Sequence, residues 1–498
     1  MTPRQIFSFA LGPIGAAILG FVTLPLVTWF FSQEDVGRFA MLNVTISFSI
    51  LLFSLGLDQA YVREFHESEN TPALFRTTML PGFIVLFLFL IILLSCNNVI
   101  SKWLFEIDSF FVSIVVVIVL IVTFVSRFLS LILRMNEQGV AYSMSQILPK
   151  LLLVLIIGYY IVSSAEKSFI NLVLANTSAA ILVCAIFSWN TRNEWRLAFN
   201  EKINYIYLKR LLKFGLPLIF GGLAFWGLTA TDKIFLKELA DFEQLGLYSV
   251  AVSFAAIAII LQSVFSTVWA PTVYKWAATD GSIEKINKVN RYILLIVIIL
   301  FSLVGLFSWI VTWILPAQYH SVRWIVISCV GYPLLYTLSE TTVVGIGITR
   351  RSSFAMLASF IAFLTNVAGN WWLIPILGAT GAAISTCVAF WIFFFLRTEF
   401  SIYLWKPIPR LTLYSYTIVL VIVACLSSVF GNEYKLEINL IWLSILSSVF
   451  FSFRNEISEI KRWVTLKVNN RNKLNSISGG VSKSMLTLNE AIIDVKKG

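Results

Sequence analysis

Charged side chains set inside long apolar runs are where this sequence could do chemistry, because a charge in hydrocarbon is costly and persists against a partner or a water-filled cavity. Lys150 is the deepest. Its apolar run begins near Ala141, which places it roughly 14 Å in at about 1.5 Å per residue, near the middle of a hydrocarbon core of about 30 Å. Gln146 and Tyr142 precede it by one and two turns on the same face. Such a lysine either faces a substrate cavity or is tethered to a carboxylate on a neighbouring helix. Arg127 lies toward one end of another apolar run, with Arg134 two turns later; snorkelling to headgroups accounts for Arg134 and leaves Arg127 as a second cavity candidate.

The acidic candidates are fewer. Asp58 and Arg63 close a span in the phrase GLDQAYVREF. They could pair locally as a gate at its mouth or touch substrate. Asp232 and Lys233 are adjacent in TDKIFL and about 100° apart on a helix, so one can face a cavity while the other reaches headgroups. Glu340, one turn after Tyr336, is a candidate proton or cation site, or the counter-charge to a cavity lysine or arginine. Asn366 and Asn370, one turn apart, could hydrogen-bond a sugar or join helices. Together, Asp58, Arg63, Asp232, Lys233 and Glu340 are the gate or ion-coupling set, and Lys150, Arg127, Gln146, Asn366 and Asn370 the substrate-cavity set.

The elements that must position these residues are membrane helices. Hydrophobic residues make up 58% of the 498 residues and charged ones 13%, with mean hydropathy +0.85; a water-soluble fold cannot carry that composition. Runs of about 20 apolar residues give fourteen spans: 6–31, 39–57, 78–95, 110–132, 141–162, 169–190, 214–236, 244–270, 292–315, 323–348, 353–374, 379–396, 411–430 and 437–453. The first is too long for a signal-peptide core and has no cleavage site. Most of the 37 Lys and Arg residues fall on the side that holds both termini, so the positive-inside rule puts both termini in the cytoplasm. The net charge of +11 therefore marks a membrane face and does not point to nucleic acid. Short loops leave no room for an extramembrane catalytic domain.

The chain begins again at Phe214. Residues 214–250 repeat the plan of 9–47, and Gly37 and Phe39 fall on Gly246 and Tyr248 at one constant offset. This divides the protein into an amino-terminal lobe with its basic linker (1–205), a second lobe (206–400), two further spans (401–453) and a basic cytoplasmic tail (454–498). The opening helix of the second lobe is expected to face helix 6–31 across a cavity. Prolines 13, 25, 81, 149, 217, 271 and 333 mark expected bends. In the tail, Ile457, Ile460, Val464 and Val468 share one helical face, which predicts a short helix on the inner leaflet followed by disorder. The five cysteines have no C-x-x-C spacing, and no Walker A, G-x-S-x-G or H-E-x-x-H motif occurs. Neither an enzyme nor a cofactor is indicated.

Several phrases, in this order, resemble the Wzx-type polysaccharide flippases of the multidrug/oligosaccharidyl-lipid/polysaccharide exporter superfamily. They are SQEDVG in the first turn, GLDQAYVREF closing the second span, TDKIFL followed by Gly246-Leu247-Tyr248, and the Asn366, Asn370, Pro375, Gly378, Gly381 run. The resemblance covers residues 1–453. It implies an all-α integral membrane fold of about fourteen spans, with two pseudo-symmetric six-helix lobes and two carboxy-terminal helices around a central cavity. It also implies translocation of undecaprenyl-pyrophosphate-linked oligosaccharide, for O-antigen, capsule or exopolysaccharide, across the bacterial inner membrane by alternating access with proton or sodium coupling. A polysaccharide polymerase, a chain-length regulator and membrane lipids would be the partners. A pyrophosphate calls for cations in a low-dielectric cavity, a role that suits Lys150 and Arg127. The lipid II flippases of the superfamily carry basic residues near the first helices; the first span here has no charge between Ile6 and Phe31. A cation-coupled drug exporter would have twelve spans and acidic cavity residues. A membrane polymerase or ligase would carry a large outer loop, whereas the longest here runs only from about Asn97 to Ser109.

Overall fold

A computed structural model of the protein describes residues 3–277, 282–459 and 461–462, and every regular element among them is helical. The first lobe comprises α1 (Pro3–Phe30), α2 (Gln33–Phe53), α3 (Leu57–Glu64), α4 (Thr71–Ser95), α5 (Val99–Phe105), α6 (Phe110–Met135), α7 (Gly139–Val162) and α8 (Phe169–Asn190). The linker helix α9 (Arg192–Asn200) leads to α10 (Tyr205–Leu239), α11 (Phe242–Ala277), α12 (Ser282–Phe307) and the short α13 (Val311–Ile314). The second lobe continues through α14 (Val322–Cys329), α15 (Gly331–Thr342), α16 (Val344–Ile348), α17 (Ser352–Leu377) and α18 (Ala379–Leu404). The last two spans are α19 (Leu411–Phe430) and α20 (Lys435–Ser452).

Among the described residues, 13 spans are long and apolar enough to cross a membrane, and α11, with 36 residues, takes the place of the eighth expected span. The protein is a multi-pass membrane protein. Helices are the form such a chain must take, because every backbone N–H and C=O in hydrocarbon has to be satisfied within the segment. Side chains set the starts: Ser32 Oγ accepts from the Asp35 N–H at 3.1 Å, and Asn70 Oδ1 from that of Ala73 at 3.0 Å.

The internal repeat reappears as packing. In the first lobe α1 lies on α7 and α6 on α8; in the second, α10 lies on α17 and α15 on α18. Across the seam α1 packs on α11, while α10 packs on α2 and α3. α2 packs on α11 as well, while α1 and the helix opening the second lobe, α10, meet as walls of one cavity. The tenth span crosses as Val322–Thr342 but is not one unbroken helix. It breaks after Cys329 and again at Val343, and Pro333 in the first turn of α15 has no N–H to offer the Cys329 carbonyl.

At the α1–α2 end of the seam, Gly37 and Gly246 meet. A Cβ on Gly37 would run into the Phe242 carbonyl, and one on Gly246 into that of Gln33. The Gln33 amide donates to the Gln318 carbonyl at 2.6 Å and Trp29 Nε1 to that of Ile314 at 2.9 Å, so this end is closed. After α20, helical turns at 454–459 dock on α12: Glu456 pairs with Arg291 at 2.5 Å and Glu459 with Lys288 at 2.6 Å. The predicted face through Ile460, Val464 and Val468, and the tail beyond, lie outside the described residues.

Candidate substrate cavity and buried acid

The face of α2 turned to the other lobe runs through Val36, Ala40, Asn43, Ser47 and Leu51 to the cap residue Ser54, three or four residues apart, and it lines two cavities in succession. The first, of about 450 Å³, holds Lys150 from α7 and Lys233 from α10, with Asn43, Asn176, Ser249 and Ser253 as its polar wall. Among the described residues no carboxylate lines it. Lys150 reaches across to α1, where its Nζ donates to the Ala16 carbonyl at 2.7 Å. Room for the ammonium comes from Gly20, on which a Cβ would lie 2.9 Å from Nζ. Gln146 sits one turn away against Gly12, where a Cβ would be 3.3 Å from its amide carbon.

The second cavity, of about 570 Å³, holds Asp58 and Arg127. The two are paired at 3.0 Å. Arg63 is not the partner of Asp58, contrary to the local pairing that the GLDQAYVREF phrase allows. Gly56, at φ 66°, breaks the chain between α2 and α3 and turns Asp58 inward, while Arg63 stacks over Phe214 at 4.4 Å and is exposed. Lys150 and Arg127 therefore belong to two cavities, and only Lys150 lacks an acid beside it. Where Ser47 follows Asn43, the Trp226 indole donates to Ser47 Oγ at 3.1 Å, crossing the seam between the cavities.

Asp232 turns away from Lys233 into the second lobe and is wholly buried. Its Oδ1 accepts from Asn366 Nδ2 at 2.9 Å and Asn370 Nδ2 at 2.7 Å. Its Oδ2 accepts from the Tyr248 hydroxyl at 2.5 Å and Thr386 Oγ1 at 2.6 Å. All four donors are neutral; α17 supplies two and α11 and α18 one each, all to the acid on α10. Asn366 and Asn370 are themselves fully buried, so in this conformation they join helices to the acid and do not face a sugar. Asn370 Oδ1 is buried with no hydrogen-bond partner. Glu340 is the counter-charge to Arg397, at 2.9 Å; Arg397 also donates to Ser339 Oγ at 2.7 Å. Arg397 lies one residue beyond the expected span 379–396, within the longer helix α18, and was not among the candidates.

Residues 3–276, more than half of the chain, match the family described as Polysaccharide biosynthesis protein. The chain belongs to that family. No curated sequence matches it. Among solved structures it resembles "Lipid II flippase MurJ, inward closed conformation", with TM-score 0.66 and 15% identity over 90% of this chain and 99% of that one. It also resembles an inward-facing "multidrug resistance MATE family transporter of the MOP superfamily", with TM-score 0.53 and 11% identity over 77% and 93%. The outward-facing form of such a transporter aligns with TM-score 0.53 at 13% identity, over 80% and 94%. At these identities the likeness is one of fold: this member of the polysaccharide biosynthesis family has the architecture of MOP-superfamily transporters.

Proposed function

We propose that the protein is a flippase that moves undecaprenyl-pyrophosphate-linked oligosaccharide from the cytoplasmic to the periplasmic leaflet of the bacterial inner membrane, with both termini in the cytoplasm. The observation that carries this reading is the pairing of Lys150 and Lys233, one from each lobe, on a single cavity with no carboxylate among its described lining residues. Two ammonium groups in a low-dielectric site suit a pyrophosphate and repel a cationic drug. Asn43, Asn176, Ser249 and Ser253 offer the hydroxyls and amides that hydrated sugars bind. The polyprenyl chain stays in lipid, and movement across the seam requires no bond to be made or broken, so the protein is not an enzyme.

Asp232 is the candidate for coupling to a proton or sodium gradient. The buried carboxylate takes its hydrogen bonds from neutral donors alone, and the orphaned Asn370 Oδ1 beside it would add an oxygen to the set a hard cation takes. Exchange between these donors and a cation or proton would alter how α10 sits on α17 and α18. Asp58 and Glu340 are already matched by Arg127 and Arg397, which leaves them with gating roles.

The test is genetic and biochemical. Lys150→Ala and Lys233→Ala should leave protein level unchanged while lipid-linked repeat units accumulate on the cytoplasmic side and surface polysaccharide disappears. Normal polymer in both variants would sink the reading. Resistance to cationic drugs in an expressing strain would instead favour a cation-coupled multidrug exporter, and glycan transfer by the purified protein a polymerase or ligase.

A further inference from the structure

Away from the seam, α4, α6, α8 and the linker helix α9 enclose a groove of about 400 Å³. Its wall is aromatic and aliphatic, with Phe75, Met79, Phe83, Leu129, Trp195 and Phe199 on it. Polar bonds hold α9 over the groove as a lid. Arg76 Nη1 donates to the carbonyls of Phe199 at 2.5 Å and of Glu201, at the helix C-terminus where a cation is favoured. The Trp195 indole donates to the Ser188 carbonyl at 2.7 Å, and Phe199 meets that ring edge-on at 5.7 Å.

Cations adjoin the lid: Arg196 follows the groove-lining Trp195, and Lys202 follows Glu201, whose carbonyl Arg76 holds. The Arg196 guanidinium stands 5.6 Å from the Trp195 ring centroid, and both Arg196 and Lys202 are exposed. The neighbouring acids are Glu194, which accepts from the Asn136 amide at 3.0 Å, and Glu201. On the other side, the exposed Ile84, Phe87 and Leu88 of α4 continue the groove toward lipid. This end of the bundle carries the basic residues and so faces the leaflet rich in anionic headgroups.

We propose that this groove binds one acyl chain of an anionic glycerophospholipid, with the phosphate at Arg196 and Lys202. Charge and size select this occupant. Residues 192–213 carry six Lys or Arg against two Glu, an excess that favours an anionic headgroup over a neutral one, and a polyprenyl chain is several times too long for the space. The site is independent of what the central cavity carries. Because α9 belongs to the one chain segment joining the lobes, a bound lipid fixes the linker against the first lobe and makes lobe movement responsive to the anionic lipid content of the membrane.

The protein is reconstituted in phosphatidylcholine vesicles containing a trace of phosphatidylglycerol with a diazirine midway along one acyl chain, irradiated, and mapped by mass spectrometry. Cross-links should concentrate in 75–83 and 195–199 and fall severalfold in an Arg196→Glu/Lys202→Glu variant. They should fall likewise in Leu129→Trp, which fills the groove, or in Val125→Phe should the first not fold. The same diazirine on phosphatidylcholine should label these segments severalfold less. Equal labelling by the two headgroups, labelling spread evenly over lipid-facing helices, or displacement by excess polyprenyl pyrophosphate would each overturn the assignment.

Discussion

The Lys150 ammonium occupies the space that a side chain at position 20 would fill, 2.9 Å from where a Cβ on Gly20 would lie. The lysine is the mobile partner, so Gly20→Ala leaves the backbone intact and pushes Nζ off the Ala16 carbonyl. A charge-assisted hydrogen bond contributes ~1.5–3 kcal/mol, and 1.4 kcal/mol is about tenfold in affinity. The variant is expected to retain its expression and melting temperature while transport of lipid-linked oligosaccharide in vesicles falls about tenfold or more. Export at the wild-type rate would show that the ammonium need not sit there.

Gly37 and Gly246 present the opposite case, because what a new Cβ would strike there is backbone. A carbonyl in a helix cannot step aside. Gly37→Ala is therefore expected to disfavour the closed α1–α2 end and shift the population toward a form open there. A cysteine at Asn43, which lines the central cavity, should react with an impermeant maleimide added outside faster in the Gly37→Ala background. An unchanged rate would mean that the glycine contact does not hold that end shut.

The contrast between these two glycines bears on what sequence can reveal. The equivalence of Gly37 and Gly246 was legible, because both lie in the repeated turn phrase, but their contact was not: only the packing of the lobes brings the two positions together. The spans were legible too, since hydrocarbon demands long apolar helices whatever their neighbours. The facing of single charges was not. Asp232 and Lys233 are adjacent, and which one enters the cavity is decided by Asn366, Asn370 and Thr386, which lie more than 130 residues away. Arg127 likewise chose Asp58, 69 residues distant, over lipid headgroups. Helical period gives a residue its face, but only tertiary packing says what that face meets.

Glu340 and Arg397 form a salt bridge at 2.9 Å with side chains only 15% and 11% exposed. Removing one partner of a buried pair strands the other charge and costs ~3–5 kcal/mol. Glu340→Ala and Arg397→Met should each lower the unfolding temperature in detergent markedly, whereas the double variant should recover most of the loss. Additive losses in the double variant would mean that the two charges are not coupled in the folded protein.

The segment at 454–459 is held on α12 by Glu459, which accepts from Lys288 at 2.6 Å and from the Tyr292 hydroxyl at 2.6 Å. The Lys288 ammonium first, then the Tyr292 hydroxyl, holds the Glu459 carboxyl below its ordinary value. A carboxyl depressed by docking contributes to docking above its ordinary value and loses that contribution as pH falls through the depressed one. The clasp is exposed, so salt also weakens it. Spin labels on α12 and on the segment should report a fixed short distance at neutral pH and a broadened distribution below the usual carboxylate range. Glu459→Gln should weaken the clasp at neutral pH and remove its acid transition. A distance distribution that ignores pH, salt and this substitution would mean that contacts other than Glu459 hold the segment in place.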